Sequence, residues 1–540
     1  MAKMTEKFSQ WNLLFWQFLK RDWKKIGVWL LGLGLFSGGF VPAFEELAKG
    51  QGLVGMYHTM QNPAMIAMIG TTPVKNVQNY TVAAMYANEM LLFCSLFAMI
   101  LAALHVVSHT RKEEELGLTE LIRSFRVGRQ ANSLAILVET FLINLVLGLL
   151  IGFLMAAFGV KSIDLNGSLL FGLSIALAGI LGAVFGLLFA QIMPTAAGAT
   201  GVSLGFIGLL YILRAGTDIS NGDLSKINPM GWTYLTYPFT ENNWIYFVIG
   251  LFFSFLIVLF SFFLEGKRDY NAGYLPEKEG RSHGSKALLS VAGWYLRINF
   301  GMIISWMVGF ALMGAAYGSV YQDMQSFMEG NELVKQVFVH SGGSLAESFT
   351  GTIIVVMVAL VAILPIAILN KLFTEESSGR MSQLFSTQVS RLKLYSNSVL
   401  LAVVSSAAGV LVSSLCLGAT AVTVMENTAA MPLKEFLAAG FNFLPVVLFF
   451  AGLAAFCLGF VPNFSKVVYV YLGYSFAISY FGGILNLPEW FSNTSALKWL
   501  PQLPTADFDF ARFGMVTVIS CVLLLLGFIG YKRRDLQESA

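Results

Sequence analysis

Long apolar runs separated by short polar islands dominate the chain. Runs of roughly 18 or more residues, the length that crosses a ~30 Å hydrocarbon core as a helix, lie near 27–44, 81–107, 133–159, 167–193, 195–213, 243–264, 300–320, 350–370, 396–420, 436–461, 467–487 and 513–531. The pattern predicts an all-α polytopic membrane protein with about twelve transmembrane helices. Two stretches ahead of crossing segments are amphipathic. Trp11, Leu14, Phe15 and Phe18 recur at helical spacing before the basic run Lys20, Arg21, Lys24 and Lys25, and Val291, Trp294, Tyr295 and Ile298 repeat the spacing. Each predicts a helix lying in the membrane interface.

The polar islands carry a second signal. "RKEEELGLTELIRSFRVGR" and "TEESSGRMSQLFSTQVSR" fit one pattern, with Glu113, Glu114, Gly117, Ser124, Val127 and Arg129 matching Glu375, Glu376, Gly379, Ser386, Val389 and Arg391. After Gly117, Leu118, Leu121, Ile122 and Phe125 make an apolar stripe. After Gly379, Met381, Leu384, Phe385 and Val389 make another. Each cassette predicts a short amphipathic helix opened by carboxylates. Its apolar face needs a groove to bury it, and its rim charges can set register with a partner.

Further matches extend the duplication. Trp29 and Gly32 align with Trp306 and Gly309, Pro194, Leu204 and Gly205 with Pro462, Leu472 and Gly473, and "GKRDY" at 266–270 with "KRRDL" at 532–536. The chain reads as two six-helix halves of the same topology, 1–270 and 286–540, joined by a cytoplasmic linker at 271–285. Parallel repeats of this kind place a substrate pathway between the halves.

Composition agrees with the membrane reading: 56% hydrophobic and 12% charged residues, with a mean hydropathy of +0.69, lie outside the range of soluble domains. Charge placement orients it. With both termini and both cassettes cytoplasmic, 25 of the 34 lysines and arginines fall inside, as the positive-inside tendency requires. The net charge of +3 suggests no nucleic-acid partner. Cys94, Cys416, Cys457 and Cys521 each lie in a predicted span without metal or redox spacing, so they read as packing residues.

The paired cassettes, each between the second and third helices of a half that opens with an amphipathic helix, resemble those of the permeases of ABC-2-type (type V) exporters. "TEESSGRMSQLFSTQVSR" is most similar to the fused, double-length polyketide and polyether antibiotic exporter branch, tetronasin- and narasin-like. The resemblance covers nearly the whole chain, including "NPMGW" at 228–232 and the "RRDL" terminus. It implies a bacterial plasma-membrane permease, without its own nucleotide site, that exports hydrophobic antibiotics such as polyether ionophores and confers resistance. It further implies two copies of an ABC ATPase as partners, which carry the ATP and Mg2+, and a coupling helix in each cassette. Carried over residue by residue, the coupling set is Glu113, Glu114, Gly117, Leu121, Phe125, Arg129, Glu375, Glu376, Gly379, Leu384, Phe385 and Arg391. The first cassette departs from the family wording, since "IRSFRVGR" stands where an "LSTPVSR"-like run is usual.

No phosphate loop is present: "GRSHGSK" has the wrong spacing and no flanking strand. Energy must therefore come from a partner or from an ion gradient. The gradient-driven alternative rests on Glu89 and Glu139, ionisable groups at membrane depth, which have Gly351 and Leu401 opposite them in the second half. A membrane enzyme is poorly supported, since the five histidines make no HExxH and no nucleophile is paired with a base. For the substrate path, the second and fifth helices of each half supply Met85, Glu89, Phe93, Phe206, Tyr211, Tyr474, Phe476, Tyr480 and Phe481, with Glu139 nearby. The stretches 215–241 and 488–511 are expected to form short capping helices.

Overall fold

A computed structural model describes residues 6–49, 52–61, 63–276, 282–322, 345–425, 431–481 and 488–536. Among them the regular structure is helical throughout, with no strand. The chain divides into two compact units, Met1–Gly280 and Arg281–Ala540, and the boundary falls inside the polar linker.

The first unit contains α1 (Trp11–Gly38), α2 (Val82–His109), the cassette helices α3 (Arg111–Glu115) and α4 (Leu118–Arg123), α5 (Ala131–Ala157), α6 (Leu165–Ile192), α7 (Ala196–Ser220) and α8 (Trp244–Lys267). The second contains α9 (Val291–Ser319), α10 (Leu345–Ser377), the cassette helix α11 (Arg380–Phe385), α12 (Arg391–Val424), α13 (Leu433–Asn442), α14 (Leu444–Phe460), α15 (Val467–Phe481) and α16 (Phe510–Arg533). Among the described residues, 11 helical stretches are long and apolar enough to cross a membrane. The chain is thus an all-α polytopic membrane protein. The expected span at 467–487 is described only as α15, because 482–487 lie outside the described residues.

Equivalent pairs of helices meet in both units: α1 with α5 and α9 with α12, α2 with α6 and α10 with α14, α6 with α8 and α14 with α16. The α2–α6 and α10–α14 pairs form the buried centres. Glycine permits close approach there: a Cβ added to Gly182 of α6 would stand 2.0 Å from the Met99 carbonyl of α2.

One expectation is corrected. The amphipathic stretch at Trp11–Phe18 is not a separate interfacial helix but the opening turns of α1, which runs unbroken to Gly38. No proline interrupts "KRDWKK", and Leu14 and Phe18 bury against Val106, Ala135 and Leu187. Protein packing, not the membrane surface, takes that face. α9 behaves alike: Ser290 caps it, accepting from the Gly293 amide at 3.0 Å, and the buried Tyr295 hydroxyl donates to the Ile368 carbonyl at 2.5 Å.

Beyond α7 and α15, short helices at Gly222–Ser225, Gly231–Thr233, Glu489–Ser492 and Ala496–Lys498 form the expected caps. Arg214 is fully buried within α7, paired with Asp218 at 2.9 Å. Tyr234 and Ser225 both donate to Asp218, each at 2.5 Å. The pair ties the end of α7 to its cap, and these partners offset the cost of burying the charge.

Candidate functional site

Each cassette begins where a long helix must stop. α3 ends at Glu115 and α10 at Ser377, each two residues before a glycine, and Gly117 and Gly379 adopt left-handed backbone with φ +74° and +72°. Their amides close back on the Glu114 and Glu376 carbonyls at 3.1 and 2.9 Å. A Cβ on either glycine would meet open space. Conformation, not room, therefore asks for glycine. The turn re-aims the chain so that α4 and α11 start in a new direction, directly behind the paired glutamates.

The second glutamate of each pair is clamped by an arginine that follows the last crossing helix of its own unit. Arg268, at the end of α8, donates through Nη1 and Nη2 to Glu114 Oε1 and Oε2 at 2.9 and 2.8 Å. Arg111 Nη1 at 3.0 Å and the Asn271 amide at 2.8 Å complete the set around Glu114. In the second unit Arg534, at the end of α16, donates through the same two nitrogens to Glu376 at 2.5 and 2.6 Å. The cassette arginines grip the same place from the other side: Arg129 donates to the Arg268 carbonyl, and Arg391 to the Arg534 carbonyl at 2.6 Å. Fork-to-fork geometry of this kind is the stronger class of ion pair and fixes orientation as well as distance.

The first glutamate is met by a side chain from one turn earlier in both halves. His109 Nδ1 lies 3.0 Å from Glu113, and Lys371 Nζ lies 3.1 Å from Glu375. An arginine follows in each, Arg21 of α1 to Glu113 at 2.6 Å and Arg380 of the cassette to Glu375 at 2.8 Å. In the first half this reaches deeper, because His109 Nε2 is 3.1 Å from the buried Asp22, and His105 Nε2 is 3.5 Å from the fully buried Glu139.

All four glutamates are buried, Glu376 to 1% exposure. They are therefore not the free rim charges that the sequence suggests; they hold the cassette onto its own half. The apolar stripe differs between halves. Leu121 and Phe125 stand 65% and 72% exposed on the first cassette, with Leu116 beside them. Leu384 and Phe385 are half-buried and pack against the core of the second unit.

The expected path residues scatter. Met85 is closed off in the core of the first unit, with Phe93 packed against the same core, so Met85 is not placed on an open surface. Glu89 is only partly exposed, and its Oε1 is buried without a hydrogen-bond partner among the described residues. Phe206 sits between Phe185 and Phe189, at ring separations of 5.0 and 5.4 Å. Tyr211 donates to the Met68 carbonyl at 2.6 Å beneath the Arg214 guanidinium. Tyr474 bonds Thr494 at 2.8 Å, and Phe476 stacks on Tyr480 at 5.5 Å. Phe481 closes α15, and its side chain lies outside the described residues.

Sequence reasoning missed Arg268, Arg534, His109 and Asp22. The signal for the arginines was present, since "GKRDY" and "KRRDL" repeat in step with the cassettes; nothing in the sequence said that the two repeats touch.

With this geometry in view, residues 288–532 match the family model described as the C-terminal domain of the multidrug efflux system permease Rv1217c. The chain is also 26% identical over 528 residues to the multidrug efflux system permease protein Rv1217c of Mycobacterium tuberculosis (strain ATCC 25618 / H37Rv), covering 96% of this chain and 94% of that protein. The similarity runs from end to end. The matched family region spans the second cassette with Glu375, Glu376 and Arg391 and stops just short of Arg534.

Proposed function

We propose that this chain is the permease subunit of a bacterial plasma-membrane efflux system. Both termini face the cytoplasm, and a pair of separate ATPase subunits drives export of hydrophobic antibiotics, with polyether ionophores as the cargo class. The end-to-end similarity to an efflux permease supports the transport role. The observation that carries the ATP-driven part is the clamped cassette: an exposed apolar surface, Leu121 on α4 and Phe125 just beyond it, mounted on a carboxylate that Arg268 at the end of α8 holds at two points. A partner that buries this face and then moves would pull directly on α8. The coupling set is then divided in role, with Leu121 and Phe125 meeting the partner and Glu114, Glu376, Arg129 and Arg391 transmitting the motion.

A gradient-driven carrier is the second reading, favoured by Glu139, fully buried in α5 beside His105. Inside-out vesicles separate the two. With the partner ATPase and ATP present, export should continue after proton and sodium gradients are collapsed. Export that persists without any ATPase and stops with the gradients would overturn the ATP-driven reading.

A further inference from the structure

The sides of α1 and α2 that face away from the core of the first unit form a groove whose two ends differ in chemistry. Val28 and Phe36 of α1 and Phe97, Leu101 and Leu104 of α2 line its apolar length. Lys24, Lys25, His105 and Ser108 close the end nearer the first cassette. The run from Lys25 to Phe36 covers ~17 Å at ~1.5 Å per residue, close to half of a ~30 Å hydrocarbon core. The groove is therefore as deep as one leaflet.

Its cationic end has charge to spare. Lys25 reaches Asp22 at 2.7 Å, yet 75% of its side chain stays exposed. Lys24 has no carboxylate within ion-pair distance among the described residues, and its ammonium lies 5.7 Å from the Trp23 ring. Trp29, one turn further in, lines the groove and carries an indole N–H that is buried without an acceptor among the described residues. Lysine and tryptophan at this level are the pair that anchors to lipid headgroups.

At the matching places the second half loses the charge and carries Ser305 where Val28 stands. The register that aligns Trp29 with Trp306 puts Gly301 and Met302 at the places of Lys24 and Lys25, and the cassette register puts Ala367 at the place of His105. An ordinary lipid-facing crevice would not need this difference.

We infer that the groove binds one anionic phospholipid from the leaflet on the cassette side. Its phosphate sits at Lys24 and Lys25, and one acyl chain lies along Val28, Phe36, Phe97 and Leu101. The bound lipid splints α1 to α2 next to the Arg21–Glu113 contact, so lipid composition reaches the first cassette and not the second.

The test uses the purified full chain in phosphatidylcholine nanodiscs containing a minority of phosphatidylglycerol, with a photoactivatable acyl chain on one lipid or the other. The phosphatidylglycerol probe should label 28–36 and 97–104 more strongly than the phosphatidylcholine probe at equal mole fraction. Lys24→Gln should cut that labelling about fivefold, and adding Lys25→Gln should cut it further by a similar factor. Leu101→Trp, which fills the groove, should abolish labelling there while sparing lipid contacts on the second unit. Because Lys25 also pairs with Asp22, the Lys24 variant alone keeps the test free of a folding defect. Equal labelling by both probes, labelling unchanged by Lys24→Gln, or displacement by a carboxylate-bearing polyether but not by excess phosphatidylglycerol would each overturn the inference.

Discussion

Arg268 holds Glu114 through two parallel hydrogen bonds, and Arg534 holds Glu376 in the same way at the corresponding place in the second half. Glu114 lies on the short helix α3 and Glu376 in the last turn of the long helix α10, so each pair joins the start of a cassette to the end of a crossing helix, α8 or α16. The same join occurs twice although the surroundings differ. Ser133 donates to Glu265 at 2.8 Å in the first half, where the second half stacks Tyr395 on Tyr531 with 5.6 Å between centroids.

The clamp should behave as a unit. Arg268→Ala or Glu114→Ala leaves a buried partner charge and should destabilise the purified protein by about 3 kcal/mol. The double variant should cost clearly less than the sum, because each change removes the same contact. Arg268→Lys should not restore the wild type, since a lysine cannot present two parallel donors. Denaturant unfolding of the four proteins in detergent measures this, and strict additivity would show that the pair carries no coupling.

The two cassettes should respond differently to the same kind of change. Leu121→Asp and Phe125→Asp alter exposed side chains, so stability should move by no more than about 0.5 kcal/mol while ATP-dependent export is lost. Leu384→Asp places a charge against the core of the second unit and should lower the melting temperature as well. Export at the wild-type rate with both exposed residues changed would rule out the first cassette as a docking face.

The two left-handed glycines set a limit on substitution. Gly117→Ala and Gly379→Ala should each cost about 1–2 kcal/mol from backbone strain alone, because a Cβ at either site meets no neighbour. Asparagine, which tolerates this conformation better, should cost less. Melting curves of the alanine and asparagine variants compare the two, and equal losses would point to a cause other than φ.

Cargo recognition is tested by resistance. A polyether ionophore carries a carboxylate and a wrapped cation, so an ionised Glu89 at membrane depth would repel the bare anion. Glu89→Gln should leave ionophore resistance largely intact or change only its pH dependence. Tyr480→Ala, which removes the ring stacked on Phe476, should reduce it several-fold. Growth inhibition of a sensitive bacterium expressing the chain together with the proposed ATPase partner gives the measure. Protection against unrelated hydrophilic drugs alone would remove polyethers as the cargo class.

Much of the architecture was legible without coordinates because its cause is local. A run of apolar residues long enough to span a bilayer has few alternatives to a helix, since backbone groups in lipid must satisfy themselves. The paired cassette pattern was legible because a repeated pattern needs only comparison of the chain with itself.

What the tertiary structure alone decided depends on contacts between residues far apart in the chain. Burial of Glu114 and Glu376 follows from Arg268 and Arg534, each more than 150 residues away, and no local pattern distinguishes a solvated carboxylate from a clamped one. The amphipathic face of α1 is equally ambiguous in sequence, where a membrane surface and a protein neighbour ask for the same apolar stripe. Only the packing of Leu14 and Phe18 against Val106 and Ala135 shows that the neighbour is protein, because periodicity records that a face is buried and not what buries it.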